Sequence, residues 1–340
     1  MIGVSCITGG QAELHSVEVA GCKSFVVHVS ERGSKVVMQG GRVAGSQEGH
    51  GVLCQDGGQA ELRGVEVADC TQWGVAVLAR GSKVVARGGR IVRCGVGGGG
   101  VACQDGGRAE LQSVEIANCH DRGVVVDGKG SKVVVQGGRV AGSREGHGVY
   151  CTDGAQVELR DVEVVDGTLY CVHVTGKGSK AVVQGGRIAG SKRGHGVYCY
   201  DGGQAELRGA EVADCRLCGL LISGKGSKAV AKGGRIVRSA GGDGLACQEG
   251  AWAELWDVEV ADCRRYGVFI SKNGKGVVRG GRISRCMEGP GVYCADGGHA
   301  EVRDVKISDC KDGGLFCGGG TMSHSGCMVS GCGAGSPRER

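Results

Sequence analysis

Proline, aromatic residues and long apolar runs are all scarce in this chain of 340 residues. Only two prolines occur, and aromatic residues make up 4% of the chain. The 71 glycines follow no three-residue period, which excludes a collagen-like structure. Disorder is disfavoured as well, because 41% of the chain is hydrophobic and regularly patterned. The glycines are therefore expected to form turns.

No segment has 18 consecutive apolar residues, and the first ten residues lack a charged head followed by an apolar stretch. We therefore expect no membrane span and no signal peptide, and hence a cytoplasmic location. The 41 basic and 36 acidic residues give a net charge of +5 without a clustered basic face. This charge pattern predicts no nucleic-acid partner.

The dominant feature that is present is an internal repeat. The segment "DGGQAELRGVEVADC" at 56–70 returns in similar form every 47 to 49 residues, with a second motif, "GSKVVMQGGRVAGS" in its first copy, in between. The true unit is about half that length and alternates between an acidic and a basic coil. The repeat predicts one elongated domain over residues 1–332, followed by a polar tail at 333–340.

Apolar residues alternate with polar ones in three short runs per unit. One unit shows the pattern in Ala60 and Leu62, in Val65 and Val67, and then in Val75 and Val77. A period of two predicts β-strands with one buried face, and nothing has a helical period. Three strands in 23 to 25 residues, repeated without a hairpin, predict an all-β parallel β-helix of about 13–14 coils.

A corner residue between the first two strands of each unit supports this fold. Glycine, serine and aspartate occupy it, and glycine and aspartate tolerate a left-handed backbone. The corner file is Gly40, Gly64, Gly88, Ser113, Gly137, Asp161, Gly185, Gly209, Gly233, Asp257, Gly280 and Asp304. With its "GVxV" strands, the chain resembles the right-handed parallel β-helix repeat proteins of the pectate-lyase-like group, which act on or bind carbohydrates. The resemblance implies a right-handed solenoid.

Catalytic signatures of that group are incomplete here. Gly-His-Gly at 146–148 resembles one element of the polygalacturonase active site, but "NTD" and "DD" are absent. His147 shares its position with His50 and His195, and also with Asp243 and Pro290, so we interpret it as a turn residue. We therefore predict no catalytic residue, no metal site and no cofactor. Asp153 and Asp201, which flank the third-strand sheet, are where a hidden acid–base site would be sought first.

Two outward files carry charge. In the second strand, glutamate and arginine alternate from coil to coil, beginning with Glu18, Arg42 and Glu66, which predicts a series of opposite-charge neighbours. In the first strand, glutamate alternates with valine, beginning with Glu13 and Val37. These carboxylates lie two coils apart, about 9.6 Å, and we expect them to be solvated.

The 20 cysteines also fall into files. One file, which includes Cys54 and Cys103, is predicted to point inward and to pack like small hydrophobic residues. A second file follows the second strand, and some of its members are one coil apart. It comprises Cys22, Cys70, Cys94, Cys119, Cys215, Cys263, Cys286, Cys310 and Cys332. Reduced thiols are the favoured state, with disulfides and, less favoured, zinc as the alternatives.

The outward file of the third strand is the candidate binding surface. Its aromatic-rich part stands out in a chain with so few aromatic residues, and aromatic faces can stack on sugar rings or bury a protein partner. The predicted binding residues are Tyr150, His173, Tyr198, Phe269 and Tyr293. The alternative is that such residues simply suit strands.

The leading hypothesis is a non-enzymatic structural or interaction scaffold. Met1 aligns inside a third strand, so the first coil has no preceding cap. Exposed strand edges lead us to expect a longer rod, a protein partner or end-to-end self-association. A carbohydrate-binding module that uses the aromatic file is the alternative, which makes a polysaccharide a possible partner. A polysaccharide lyase or hydrolase is the less favoured third hypothesis.

Overall fold

The computed structural model describes residues 2–333. These residues contain 42 short strands, and no helix occurs among them, so no helix in this range could cross a membrane. Met1 and most of the predicted tail at 333–340 lie outside the described residues. The chain divides into two compact units. Unit 1 comprises Met1–Thr168 with Gly178–Ala181, and unit 2 comprises Leu169–Lys177 with Val182–Arg340. The single domain over 1–332 stays a prediction.

Unit 1 contains the first 21 strands. They are β1 (Val4–Cys6), β2 (Gln11–His15), β3 (Glu18–Ala20), β4 (Val27–Ser30), β5 (Lys35–Gln39), β6 (Arg42–Ala44), β7 (Val52–Gln55), β8 (Gln59–Arg63), β9 (Glu66–Ala68), β10 (Val75–Leu78), β11 (Lys83–Arg87), β12 (Arg90–Val92), β13 (Gly99–Gln104), β14 (Arg108–Gln112), β15 (Glu115–Ala117), β16 (Arg122–Asp127), β17 (Lys132–Gln136), β18 (Arg139–Ala141), β19 (Val149–Thr152), β20 (Gln156–Arg160) and β21 (Glu163–Val165).

Unit 2 contains the other strands, apart from the first two residues of β23, which belong to unit 1. They are β22 (Val172–Thr175), β23 (Lys180–Gln184), β24 (Arg187–Ala189), β25 (Val197–Tyr200), β26 (Gln204–Arg208), β27 (Glu211–Ala213), β28 (Leu220–Ser223), β29 (Lys228–Lys232), β30 (Arg235–Val237), β31 (Leu245–Gln248), β32 (Trp252–Trp256), β33 (Glu259–Ala261), β34 (Val268–Ile270), β35 (Lys275–Arg279), β36 (Arg282–Ser284), β37 (Val292–Ala295), β38 (His299–Arg303), β39 (Lys306–Ser308), β40 (Leu315–Gly318), β41 (Thr321–Ser325) and β42 (Met328–Ser330).

Every third strand belongs to the same sheet. In unit 1, sheet A has the order β1-β4-β7-β10-β13-β16-β19, sheet B begins with β2 and β5, and sheet C begins with β3 and β6. Unit 2 repeats the arrangement from β22, β23 and β24 onward. Neighbouring strands within a sheet are parallel, as are β10 and β13 in unit 1 and β28 and β31 in unit 2. The predicted parallel β-helix with three strands per coil is therefore confirmed.

The core consists of the alternate residues that face the inside of each coil. In β8, Ala60 and Leu62 are buried between exposed or partly exposed neighbours, and Val67 in β9 and Val77 in β10 are buried as well. β-Branched residues suit these positions because their stiff side chains pack on the equivalent residue one coil away.

The corners adopt the predicted left-handed conformation. Each of the twelve corner residues has a positive φ, including Ser113 at 52° and Asp161 at 51°. A second set of aspartates directly after the sheet A strands shares this conformation, among them Asp153 and Asp201 with φ of 52° and 47°. An aspartate tolerates this backbone because its short polar side chain can hydrogen-bond locally.

The glycine that opens each "GV" strand is required by close packing. A Cβ on Gly74 would overlap Ile91 Cγ2 and lie 3.1 Å from the Sγ of Cys94. A Cβ on Gly244 would likewise meet Val260, and Cys263 Sγ at 3.0 Å. The cysteines behind sheet C therefore pack directly on these glycines.

The alternating charges of sheet C form ion pairs as predicted. Arg42 lies opposite Glu18 and Glu66 in register and approaches their carboxylates at 3.3 and 3.2 Å. In unit 2, Arg187 pairs with Glu211 at 3.2 Å. The Glu18 side chain is 63% exposed, whereas those of Glu66 and Glu211 are 21% and 20% exposed, so the arginines shield two of these three carboxylates from solvent.

Several glutamates of sheet B are more shielded than predicted, although Glu13 and Glu110 are exposed. Only 18% of the Glu61 side chain is exposed, and its carboxylate lies 2.7 Å from Arg63 and 2.9 Å from Arg87. The hydrogen bond from Arg63 and the nearby positive charges lower the pKa of this carboxyl. The sequence places the glutamates two coils apart but does not show that long basic side chains reach them from neighbouring strands.

Candidate functional site

The outer face of sheet A follows the predicted file. Register pairs His173 with Tyr198, Phe269 with Tyr293, and Tyr293 with Phe316. All these side chains are half-buried. The turn that precedes each strand explains this burial, because a turn residue three positions earlier lies against the outer residue. Tyr170 contacts His173 in this way, with ring centroids 5.1 Å apart.

The first aromatic cluster lies in unit 2 and comprises Tyr170, His173, His195, Tyr198 and Tyr200. Tyr170 contacts Tyr198 of the next coil at 4.9 Å and stacks on His195 at 5.6 Å. The Tyr198 ring is nearly parallel to His173 at 5.0 Å and to Tyr200 at 5.8 Å. Burial raises the pKa of Tyr198 to about 12, so its hydroxyl stays neutral at physiological pH. Tyr198 is therefore stacked on two protein rings and has little ring face left for a ligand.

Tyr200 is the open end of the first aromatic cluster. Its side chain is 45% exposed, and its ring lies at an interplanar angle of 22° to Tyr198. It is the last residue of strand β25, where its side chain extends past the neighbouring turn into solvent. A planar ligand could continue the stack only from this residue, because tyrosine is apolar on its face and polar at its tip.

The second aromatic cluster, also in unit 2, comprises Tyr266, Phe269, Tyr293 and Phe316. Phe269 stacks on Tyr293 at 5.5 Å, and Tyr293 contacts Phe316 at the same distance. Tyr266, from the preceding turn, contacts both Phe269 and Tyr293, at 5.2 and 5.0 Å. Both clusters thus combine strand residues predicted from the sequence with a turn tyrosine that was not predicted.

Tyr150 occupies the same file in unit 1. It pairs in register with Val125, and its ring stacks on His147 with centroids 5.4 Å apart. The Arg122 guanidinium lies 4.8 Å from its ring centroid, a cation–π distance. Tyr150 therefore has its own local partners, and its role as a binding residue stays a prediction.

Comparison with known proteins identifies the fold family. Residues 3–188 and 190–336 match the family model described as "Right handed beta helix region". The chain belongs to the right-handed β-helix family. No curated protein sequence matches it. One solved structure, the TibC-catalysed hyper-glycosylated TibA fragment, aligns over 94% of this chain and 99% of its own with 14% identity and a TM-score of 0.36.

Turn residues at the position of His147 in other coils of this β-helix have a structural role. His50 Nδ1 accepts a hydrogen bond from the backbone N–H of Trp73 at 3.3 Å, and His195 Nδ1 accepts one from Cys218 at 3.1 Å. Asp243 makes the same bond with Tyr266 N–H at 3.2 Å. Burial lowers the pKa of His50 and His195 to about 4, so both imidazoles are neutral acceptors. These side chains join each turn to the next coil.

Asp153 and Asp201 occupy a position that recurs along this β-helix. Asp153 and Asp201 are exposed, and each directly follows its sheet A strand in a left-handed conformation. Asp56, Asp105 and Asp296 occupy the same position in other coils with φ of 47° to 52°. Asp153 also lies beside Asp127, where burial and then the charge of Asp153 raise the pKa of the Asp127 carboxyl.

A group on sheet B lies outside the predicted binding residues. Trp252 and Trp256 both donate indole hydrogen bonds to Glu254, at 2.8 and 3.2 Å, and Lys228 bonds to the same carboxylate at 3.0 Å. Trp252 is 38% exposed. The irregular "WAELW" indicates this place in the sequence, but only the side-chain geometry shows that the carboxylate is already saturated.

Proposed function

We propose that this protein is a non-enzymatic scaffold that binds a protein partner across the two aromatic clusters of unit 2. The observation that carries the proposal is the concentration of half-exposed aromatic side chains on one face of a chain with few aromatic residues. Tyrosine-rich, partly buried surfaces are typical of interface centres, because large rigid rings bury area at low entropic cost. The corner aspartates and turn histidines already have structural roles.

A protein partner fits the geometry better than a stacked sugar at the centre of the surface. Tyr198 is stacked on His173 and Tyr200, and Tyr293 contacts three other rings. Such rings present edges and hydroxyl groups to the outside. Edges and hydroxyls suit an irregular protein surface, whereas sugar recognition needs an open ring face.

Affinity capture with two surface variants and one control tests the proposal. Tyr200→Ser and Phe316→Ser remove exposed rings at one end of each cluster, while Val125→Ala alters the same file in unit 1. A partner captured by the wild type and by Val125→Ala, but lost with both surface variants, is the expected result. Capture that is equal for all four proteins contradicts the assigned surface.

An activity assay tests the non-enzymatic part of the proposal. The purified protein is incubated with acidic polysaccharides, and the release of new chain ends is measured. We expect none. Turnover that disappears on substitution of Asp153, His173 or Asp201 would establish a lyase or hydrolase instead.

A carbohydrate-binding module is the second candidate, and the 45% exposure of Tyr200 favours it. Binding to a glycan array that is lost in Tyr200→Ala, but kept in the conservative Tyr200→Phe, would support stacking on a sugar. Binding that is unaffected by Tyr200→Ala would exclude this residue as the platform.

A further inference from the structure

Cysteines behind sheet C form two thiol ladders. The ladder of unit 1 comprises Cys70, Cys94 and Cys119, and the ladder of unit 2 comprises Cys263, Cys286, Cys310 and Cys332. Each cysteine lies two residues beyond a sheet C strand. The register of these strands pairs Val92 with Ala68 and with Ala117 in unit 1. Consecutive cysteines therefore lie one coil apart, roughly 4.8 Å.

The thiols of a ladder point the same way. Cys70 Sγ lies 3.3 Å from the carbonyl oxygen of Ala68, and Cys94 Sγ lies 3.3 Å from that of Val92. In unit 2, Cys310 and Cys332 repeat this contact with Ser308 and Ser330 at 3.4 and 3.5 Å. The Sγ of Cys332 also accepts a hydrogen bond from the Cys310 backbone N–H at 3.4 Å.

One cysteine of the chain has no stacked cysteine neighbour and serves as a control for the two ladders. Cys215 occupies the same position, but serine stands there in the coils on both sides, at Ser191 and Ser239. Burial raises the pKa of Cys215 to about 11. The ladder cysteines differ from Cys215 in having another cysteine at the same position one coil away. Thiolate is the form of cysteine that binds metals, and two stacked sulfurs can share one ion.

The geometry suits two sulfur ligands and not three or four. Within residues 2–333, the group of metal-binding side chains whose ligand atoms all lie within 4.8 Å is His120, Asp121 and Glu145, and it contains no cysteine. Tetrahedral zinc needs four ligands. Twice a metal–sulfur bond of about 2.3 Å is about 4.6 Å, close to the strand spacing.

We propose that each thiol ladder binds a soft monovalent cation of the Cu(I) or Ag(I) class between two consecutive cysteines. Soft thiolate ligands select such ions over harder ones. The cation replaces the thiol proton of one cysteine of the pair, which is released to solvent, and the neighbouring cysteine contributes a neutral sulfur. The site then carries no net charge, which suits its burial. A disulfide would require the two sulfurs to approach to about 2.05 Å.

Silver(I) titration of the reduced full-length protein under anaerobic conditions tests this inference. Native mass spectrometry counts the retained ions, and the thiolate-to-metal absorption band in the ultraviolet reports sulfur ligation. Cys94→Ser interrupts the ladder of unit 1, and the pair Cys286→Ser with Cys310→Ser interrupts that of unit 2. Serine fits this position, because Ser46 there donates to the Gly49 carbonyl at 2.7 Å. Cys215→Ser is the matched control.

We expect each ladder variant to lose at least one tightly held ion and to release correspondingly less proton, and Cys215→Ser to match the wild type. Cys294 and Cys317 also pair in register on sheet A, so differences between variants are compared rather than total counts. Equal ion retention in all proteins, an equal loss in Cys215→Ser, or disulfide formation without retained silver would overturn the proposal. Circular dichroism confirms that each variant keeps its strands. The inference does not depend on the aromatic clusters.

Discussion

The outer face of sheet A differs between the two units although its backbone repeats. Between His28 and Tyr150, unit 1 carries Leu53, Ala76, Ala102 and Val125 there, and none of these four is more than 4% exposed. Unit 2 carries the half-buried aromatic residues of the two clusters. Small side chains fit beneath the preceding turn, whereas rings extend past it. The coil therefore fixes the position of a side chain, and the volume of the side chain decides whether it reaches solvent.

What the two units share is the packing behind that face. In both, a turn histidine stacks on an aromatic residue of the preceding coil, at 5.7 Å for Phe25 with His50 and 5.6 Å for Tyr170 with His195. In both, a glycine opens the strand against a buried cysteine. One face can thus vary while the turns and the core that support it remain the same.

Disrupting the packing around the glycine that opens each "GV" strand should lower the free energy of unfolding more than the other changes described below. Gly74→Ala in unit 1 and Gly244→Ala in unit 2 place a Cβ against an isoleucine or valine side chain and a carbonyl oxygen, and we expect each to cost about 3 kcal/mol. Chemical denaturation followed by circular dichroism measures the loss. The control is Gly64→Asp, because a Cβ there meets nothing within 4 Å and Asp161 occupies the equivalent corner. A loss for Gly64→Asp as large as for Gly74→Ala would show that backbone conformation and not packing sets the requirement.

Exchanging small and aromatic residues between the outer sheet A faces of unit 1 and unit 2 should lower the free energy of unfolding by an intermediate amount. Ala76→Tyr inserts a ring at a position with no exposed surface, and we expect a loss of about 2–3 kcal/mol in stability from overpacking. Tyr198→Ala removes ring contacts from a half-buried site and should cost about 2 kcal/mol. The free energy of unfolding of each variant is compared with that of the wild type. If Ala76→Tyr leaves the free energy of unfolding unchanged, the turn that precedes the strand does not limit the size of the side chain at this position.

Lowering the pH should weaken the shared histidine contact by a smaller amount. In the folded protein His50 and His195 stay neutral down to about pH 4, whereas an unfolded histidine takes up a proton near its ordinary pKa of 6.5. Stability that is present above pH 6.5 is therefore lost as the pH falls towards 4, by about 1–2 kcal/mol per histidine at pH 5. Denaturation midpoints between pH 7 and pH 4 measure this loss.

Asparagine is the matched substitute for these histidines. Its side-chain oxygen can accept the backbone hydrogen bond that Asp243 accepts at the equivalent turn, and it does not titrate. We expect His50→Asn and His195→Asn each to reduce the pH dependence between 6.5 and 4. The opposite contribution of Asp243, whose pKa burial raises to about 6, is present in all these proteins and cancels in the comparison. An unchanged slope would mean that these histidines do not account for the loss.

Several side-chain positions could be predicted from the sequence because the coils are nearly equal in length. A spacing of about 24 residues places Glu18 beside Arg42. The register of sheet C confirms this charge alternation. The left-handed corners were predictable for a related reason. Glycine and aspartate are residues that tolerate that backbone at little cost.

The side-chain partners could not be predicted in the same way. The repeat does not reveal that Tyr170 and Tyr266 reach from their turns onto the next coil, or that Arg63 and Arg87 converge on Glu61. Turn segments vary in sequence, and long side chains have several rotamers of similar energy. Their final direction depends on the space that neighbouring coils leave.

The sequence by itself determined the β-helix, its three strands per coil, its corners and its files, because a period-two pattern repeated at constant length allows few other arrangements. The tertiary structure alone decided which rings stack on each other, which histidine nitrogen accepts a backbone hydrogen bond, and which thiols meet. Many of these contacts join residues more than 20 positions apart in the chain. They arise only when one coil closes on the next, so packing and burial, and not local preference, set their geometry.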